Sequence, residues 1–519
     1  MRRLIGCFFL LAGLSHGTAD AQEPIRFEGD VPDGPDTFFF IDFEVPEGIA
    51  EIEIEHTHIP VDTRNVLDWG VDDPNGSRGW GGSNQENTVI GVEAASRNYI
   101  PGAIPAGTWR VTVGKARLVE GEPAGYSVNV LLRETATLDP QPRAPYQDPG
   151  ALEEGARWYA GDFHVHTRES GDTRDSLTID EALTFARNVG LDFVMLSEHN
   201  TNSGFTLYAD AQGRYPDVLI VPGQELTTYQ GHANALGALD NVVYTVGTDG
   251  YTIEDAIAAF QAQDAIFSIN HPSIPLPDCR GCSWDFDVDP TLIDSVEIQT
   301  AIIRGLAFWE DLIAQGSRAT ALGGSDDHRA GVDLGAVDRP IGTPTTMVFA
   351  EELSVEALLD GVRSGRTTVK MTGPDAPMLE TNMSGTRDGN TVFADTATLS
   401  AAVTGGEGFN LRVIKNGEQL ALVEIDDDPF VDEREVQAPE EGTDRYRHEV
   451  LDRANPQTVS SYVWLEKSNG VPDGGSPDGG TGDTGSGCGV GPRESAGLAV
   501  MLAALAGWAL FRRRPRRRI

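Results

Sequence analysis

The chain has 519 residues, too many for one ordinary core, and 39% apolar and 8% aromatic content excludes an intrinsically disordered protein. It carries 80 acidic against 39 basic residues, a formal net charge of −41, and Arg2, Arg3 and six of the last eight residues account for a share of the positive ones. A body this acidic repels nucleic acid and anionic membrane surfaces, so a nucleic-acid substrate is disfavoured while a small phosphoester is not.

Met1-Arg2-Arg3 is a short basic stretch, Leu4 to Leu14 is mainly apolar, and Ala19-Asp20-Ala21 is an A-x-A site. Residues 1–21 therefore read as a signal peptide cut before Gln22, and the protein as exported. Residues 22–135 read as a β-sandwich. Phe38 to Val45, Glu51 to His58, Trp109 to Val113 and Tyr126 to Leu132 alternate apolar and polar, with Gly- and Pro-rich turns between them. Residues 136–157 hold four prolines and little periodicity, and read as a linker.

Between 158 and 372 the pattern changes to strands alternating with helices. Strands are predicted at 158–166, 192–197, 218–223, 232–236, 265–270, 294–298 and 319–324. Thr178 with Glu181, and Thr252 with Asp255, each set a hydroxyl at a helix start and a carboxylate three residues on; Ser354 caps a third helix. Seven strands interleaved with helices argue for an α/β barrel. Residues 373–467 return to short strands and predict a small immunoglobulin-like β domain. A Gly/Pro/Asp/Ser/Thr linker follows at 468–487. Residues 488–519 then hold Cys488, the apolar run Ala496 to Phe511 and an arginine cluster, the order of a membrane anchor whose arginines stay inside. In an oxidising compartment Cys279-x-x-Cys282 predicts a structural clip in a Pro-rich loop.

The chemistry lies in five segments at the ends of predicted barrel strands. They are Gly161-Asp162-Phe163-His164-Val165-His166 followed by Asp172; Ser197-Glu198-His199-Asn200; Gly223-Gln224-Glu225 with Gly231-His232; Ser268-Ile269-Asn270-His271-Pro272; and Gly323-Gly324-Ser325-Asp326-Asp327-His328. On a strand, residues i and i+2 share a face, so His164 and His166 can grip one ion, and Asp326 and His328 are expected to repeat that geometry. Mixed imidazole and carboxylate donors suit Zn, Mn or Fe. Of ten histidines six fall here, all at strand ends. His56-Thr57-His58 is also H-x-H but stands in the first β region without partners, and reads as exposed strand decoration. The acidic runs Asp285 to Asp289 and Asp426 to Asp428 lack the Gly and terminal Glu of an EF-hand and read as solvated loops.

The order H-x-H…D, E-H-N, G-x-E, G-H, N-H-P and G-S-D-x-H resembles the PHP (polymerase and histidinol phosphatase) superfamily of metal-dependent phosphoesterases. It is most similar to the CehA/McbA-type metallohydrolases over residues 25 to 467. The resemblance implies a distorted (β/α)7 barrel and two or three divalent ions. It implies a first ion on His164, His166, Glu225 and Asp326, a second on Glu225, His232 and His271, and a third on Asp172, His199 and His328, with Glu225 bridging. Glu198 departs from the Asp usual in the family and is expected behind the ligands. A water activated between two ions would attack in line, with Asp326, His199 and His328 in catalytic roles and the two histidines stabilising the leaving oxygen. Arg168, Arg304 and Arg329 lie in nearby loops and are expected to meet an anionic substrate.

These features predict a phosphoesterase for small exported substrates. A carbamate, ester or amide hydrolase with the same ions is the rival enzyme, and a surface-binding protein using its β domains is the rival without catalysis. The tail resembles the Myxo and GlyGly sorting tails of Gram-negative bacteria. That implies processing by a sorting protease near Cys488, membrane association only through the tail, and retention at the cell surface or outer envelope.

Overall fold

The computed structural model describes residues 23–171, 178–273, 281–299, 304–331, 339–385 and 391–468. The expected signal peptide and tail, Asp172 and Cys279 lie outside them. Among the described residues the chain starts with strands β1 (Ile25–Asp30), β2 (Phe38–Val45), β3 (Glu51–Ile59), β4 (Val66–Asp73), β5 (Gly76–Gly82), β6 (Thr88–Gly91), β7 (Gly107–Arg117) and β8 (Gly125–Arg133). They form two antiparallel sheets, ordered β1-β8-β3-β6 and β2-β7-β4-β5. The alternating side chains of both sheets meet in a core that includes Ile52, Ile54, Trp69, Trp109, Val111 and Val130. His56 belongs to this packing: its ring stacks on Trp69 at 4.6 Å, and burial lowers its pKa to about 4. The exposed role expected for His56 and His58 is thus wrong, because both side chains are half-buried. A neutral imidazole on an indole is an apolar contact that strand alternation alone does not reveal.

The middle of the chain alternates strand and helix: β9 (Glu154–Val165), α1 (Ile179–Val189), β10 (Phe193–His199), α2 (Phe205–Arg214), β11 (Leu219–Thr227), β12 (His232–Leu236), α3 (Ile253–Gln261), β13 (Ile266–Ile269), β14 (Ser295–Glu297), α4 (Gly305–Ala314), β15 (Thr320–Leu322), β16 (Thr345–Glu352), α5 (Val355–Arg363) and β17 (Thr367–Lys370). The capping boxes at Thr178 and Thr252 are formed, and the Ser354 hydroxyl accepts from the Ala357 N–H. Apolar helix faces cover the sheet: Leu358, Leu359 and Val362 of α5 pack with Phe193, Met195 and Val348.

The sheet order is β15-β14-β13-β12-β11-β10-β9-β16-β17. β9, β10 and β11 are parallel, β12 is antiparallel to both β11 and β13, and β16 runs antiparallel to β9. The fold is therefore mixed α/β and rich in sheet. The expected closed seven-stranded barrel is not seen, since the backbone ladder among the described residues stays open between β15 and β17. Side chains span the gap instead. Thr346 Oγ1 accepts from Gly323 N at 2.7 Å and donates to Gly323 O at 2.9 Å, and Thr367 Oγ1 donates to Ala321 O at 2.9 Å. The sheet curls far enough for the loop after β15 to bond back onto β9, with Asp326 N to His164 O at 2.9 Å and His166 N to Asp327 O at 3.1 Å.

The same ladder continues from β17 into the last strands. These are β18 (Met378–Met383), β19 (Thr391–Phe393), β20 (Thr396–Thr404), β21 (Asn410–Lys415), β22 (Glu418–Glu424), β23 (Phe430–Gln437), β24 (Thr443–Asp452), β25 (Asn455–Ser460) and β26 (Val463–Glu466). β25 pairs with β17, and a separate sheet β18-β20-β23 packs Met383, Leu399 and Val436 against Val413, Tyr446 and Leu465. Arg447, 3% exposed, reaches from β24 to Glu310 of α4 at 2.7 Å and also pairs with the buried Glu449. No described helix is long and apolar enough to cross a membrane. Arg447→Ala would remove one partner from each carboxylate, leaving Glu449 with Arg412 and Glu310 with Tyr462; it should cost roughly 2 kcal/mol, read as a lower urea midpoint.

Candidate metal centre

Each expected ligand among the described residues reaches one edge of the curled sheet. His164 lies near the end of β9 and His166 just beyond it, His199 ends β10, and Glu225 sits near the end of β11. β12 runs antiparallel, so its first residue, His232, returns to the same edge opposite Thr227. His271 follows β13, while Asp326 and His328 lie in the loop beyond β15. Strand alternation is interrupted at His164: the β9–β10 register shifts between Asp162 and Val165, and Phe163 and Val165 enter separate apolar clusters on either side of it.

Glu225 is the hub. Its carboxylate is fully buried, and five imidazole nitrogens face it: His164 Nε2 at 3.4 Å, His166 Nε2 at 3.6 Å, His199 Nδ1 at 2.5 Å, His232 Nδ1 at 3.3 Å and His271 Nε2 at 3.5 Å. Asp326 Oδ1 lies 3.2 Å from both His164 Nε2 and His166 Nε2. Donor atoms within 4.8 Å of one another form the groups His164–His166–Glu225, His164–His271–Asp326, Glu225–His232–His271 and His166–His199–His328. The first two together hold the set expected for the first ion, and the third is the set expected for the second. In the last group His166 stands with His199 and His328, its ring stacked between theirs at 4.3 and 4.2 Å; Asp172, expected there, is outside the described residues.

Asp326 and His328 do not repeat the strand geometry expected of them. β15 ends at Leu322, and Asp326 has φ 56°, so the chain turns rather than extends. Asp327 faces away and caps the turn, its carboxylate accepting from the N–H groups of Arg329, Gly331 and Ile341. Glu198 accepts from Thr167 N at 3.1 Å and Thr167 Oγ1 at 2.6 Å, which holds the loop after His166; burial pushes its carboxyl up to about 7. Arg168, Arg304 and Arg329 are exposed; Arg168 stands two residues beyond His166, Arg329 directly after His328, and Arg304 at the start of α4.

Glu297, which the sequence reading passed over, and several backbone and side-chain groups to which it gave no orienting role set the direction of the imidazoles. Glu297, 3% exposed, places Oε1 3.1 Å from His164 Nδ1 and accepts the His271 N–H through Oε2 at 2.7 Å. His271 Nδ1 donates to Cys282 O and His328 Nδ1 to Asp326 O, each at 2.9 Å. A carbonyl only accepts, so these Nδ1 atoms carry the proton and each Nε2 turns a lone pair inward. Asn270 Nδ2 donates to Glu225 Oε1 at 2.9 Å, Thr227 Oγ1 is 2.6 Å from His199 Nδ1, and Ser170 Oγ is 3.1 Å from His166 Nδ1. Gly324 leaves the space this needs, since a Cβ there would lie 2.0 Å from Glu297 Oε1. A lone Glu in the short buried strand β14 was the available signal.

Charge points the same way. Burial pulls His164 down, but Asp326, Glu297 and Glu225 outweigh it and hold its pKa well above the ordinary value. Burial pushes Glu225 up, and His199, His164 and His232 more than reverse that. His166 moves oppositely, burial and the neighbouring His328 and His199 lowering it to about 3. Among the described residues no Lys or Arg pairs with Glu225, Asp326 or Glu297. Inward lone pairs converging on carboxylates with no basic side chain between them form a donor set that fits a divalent metal.

No protein-family model matches the sequence, and no curated protein matches it. Among solved structures the chain is similar to a two-domain protein from Bacteroides vulgatus that contains a predicted PHP-like metal-dependent phosphoesterase. That likeness has 16% identity and a TM-score of 0.35, and covers 63% of this chain and 100% of the other. It is also similar to a lesion-specific endonuclease from Pyrococcus furiosus, with 13% identity and a TM-score of 0.28 over 41% of this chain and 58% of that one. Likenesses this distant say nothing about the chemistry, which is carried by the residues themselves.

Glu297→Ala frees the His164 ring and the His271 backbone together. It should weaken Zn or Mn binding by about 10- to 100-fold in a chelator-competition titration. Because imidazoles must shed protons to bind metal, and carboxylates hold the His164 and His271 pKa above the ordinary imidazole value of about 6.5, affinity should already be falling as pH drops towards that value.

Proposed function

We propose that the protein is a multi-metal hydrolase of the PHP type acting on small phosphoesters. The observation that carries this is the buried Glu225 carboxylate ringed by five imidazoles, several with their outer nitrogen already engaged. The motif order supports the family reading. Bound divalent ions would supply a nucleophilic hydroxide near neutral pH and offset charge on the attacked oxygen. The protein's own part is to fix the donors. Asn270 orients Glu225, Glu297 orients His164, and the Cys282 carbonyl orients His271.

Asp326 and His328 are the more open side chains of the group, 26% and 23% exposed, so substrate is proposed to enter from their side. Arg329 directly follows His328, and Arg168 lies two residues beyond His166. With Arg304 at the start of α4, these cations are proposed to meet the phosphoryl oxygens. Secretion and retention at the cell surface, proposed from the two ends of the sequence, suit an enzyme for small external substrates.

Metal analysis of protein purified without chelator should find two or three ions per chain. His164→Ala and Glu225→Ala should lose metal and cut turnover of p-nitrophenyl phosphate or bis-p-nitrophenyl phosphate by more than about a hundredfold, beyond what changes behind the ligands cost. Turnover of an aryl carbamate alone would move the substrate class, and absence of both metal and turnover after adding Mn or Zn would sink the enzyme reading.

A further inference from the structure

We infer that the N-terminal sandwich is a working part of the metal centre, because Asp68, Arg97 and Asn98 tether the three loops that carry His166, His199 and His232. The inference rests on reading the site as a metal centre. It concerns residues far from the ligands in sequence, and three separate contacts carry it.

The first tether holds the turn between Thr227, which touches His199, and His232. At its tip Tyr229 donates its phenol proton to Asp68 Oδ2 of β4 at 2.7 Å, and its ring stacks on Phe38 of β2 at 5.3 Å. Gly114 of β7 makes room, since a Cβ there would lie 2.0 Å from the Tyr229 oxygen. The second tether holds the loop after His166. Arg97 Nη1 donates to Ser170 O at 3.3 Å, and the hydroxyl of Ser170 touches His166 Nδ1 and accepts the His199 N–H at 3.2 Å. Gly171 lies so close to Gly81 of β5 that a Cβ on it would come within 2.4 Å of that backbone. The third holds the segment after His199: Thr201 Oγ1 donates to Asn98 O at 3.1 Å. Neighbouring Asn200 joins the tethers, exchanging 2.9 Å hydrogen bonds with both backbone groups of Thr227.

His164 and His271 behave differently, for Glu297 holds both from within the curled sheet. The sandwich adds contacts at the three loops that Glu297 does not reach. Ser170, the outer partner of His166, lies in the loop that Arg97 holds, and Thr227, which touches His199, ends β11 where the turn held through Tyr229 begins. Phe38 and Trp80 of the sandwich share one apolar cluster with Tyr244 and Leu226, so the two parts meet through a packed surface. Asp68, Tyr229 and Arg97 are positioning residues; none of them touches the reacting atoms.

The test is Mn(II) and Zn(II) titration of the full protein, paired with melting of the metal-free form. Asp68→Ala, Tyr229→Phe and Arg97→Ala should each weaken metal binding about tenfold. Asp68→Asn should recover most of the loss, because its amide oxygen still accepts the phenol proton. Arg110→Ala, which breaks an exposed pair with Asp42 on the same sandwich, should titrate like wild type. If Asp68→Ala fails to fold, Tyr229→Phe decides, since it removes one oxygen. Tether variants that melt early but bind metal as wild type does would overturn the inference and leave the metal centre standing. Wild-type protein that takes up no metal would overturn the metal-centre reading, and the inference with it.

Discussion

A carboxylate shut away from bulk solvent is costly, and Glu225 is such a group. Five imidazoles face it while no described Lys or Arg does, so the fold has to bring rings from β9, β10, β12 and the turn after β13 to one point. That requirement explains the odd strand in the sheet. β12 runs against its neighbours, and only by doing so does it deliver its first residue, His232, beside the end of β11. A parallel strand would start at the opposite edge.

The same convergence accounts for three of the positions where the backbone is strained. Asn200, His271 and Asp326 have φ of 51°, 27° and 56°, conformations that ordinary side chains seldom adopt. All three lie where a strand has just ended and the chain must turn to keep a donor in place. Surrounding bonds hold each of them. Asn200 is locked to Thr227, the His271 N–H goes to Glu297, and the Asp326 N–H goes to His164 O. At these three positions the strain is compensated locally by hydrogen bonds.

Much of this was legible in the sequence, and the exceptions are physical. The seven strands were visible because they are apolar and bounded by turns, and the caps at Thr178, Thr252 and Ser354 because hydroxyl and carboxylate spacing is local. β16 and β17 escaped notice, although β16 lies beside β9 and β17 leads the sheet into the last strands. Their threonine-rich faces look polar, but Thr346 and Thr367 use those hydroxyls to bridge the open side of the sheet. Barrel closure depends on such long-range contacts, so strand counting overstated it. Likewise the G-S-D-x-H segment looked extended because spacing cannot show a positive φ. Glu297 was invisible as a partner because 133 residues separate it from His164.

The charge distribution bears on which substrates the proposed enzyme could admit. The whole chain carries −41, which would hold a polyanion away, but charges more than about 8 Å apart are largely screened at physiological salt. A small phosphoester would feel mainly the last few ångströms. There, on the proposed reading, divalent ions outweigh the facing carboxylates of Glu225 and Asp326, and exposed Arg168 and Arg329 add to the positive side. Neutral carbamates would gain less from that local field than phosphate monoanions and dianions. On that reading the acidic exterior would turn away large polyanions, while an ion-loaded centre would favour a ligand that is anionic and small enough to leave the surface behind.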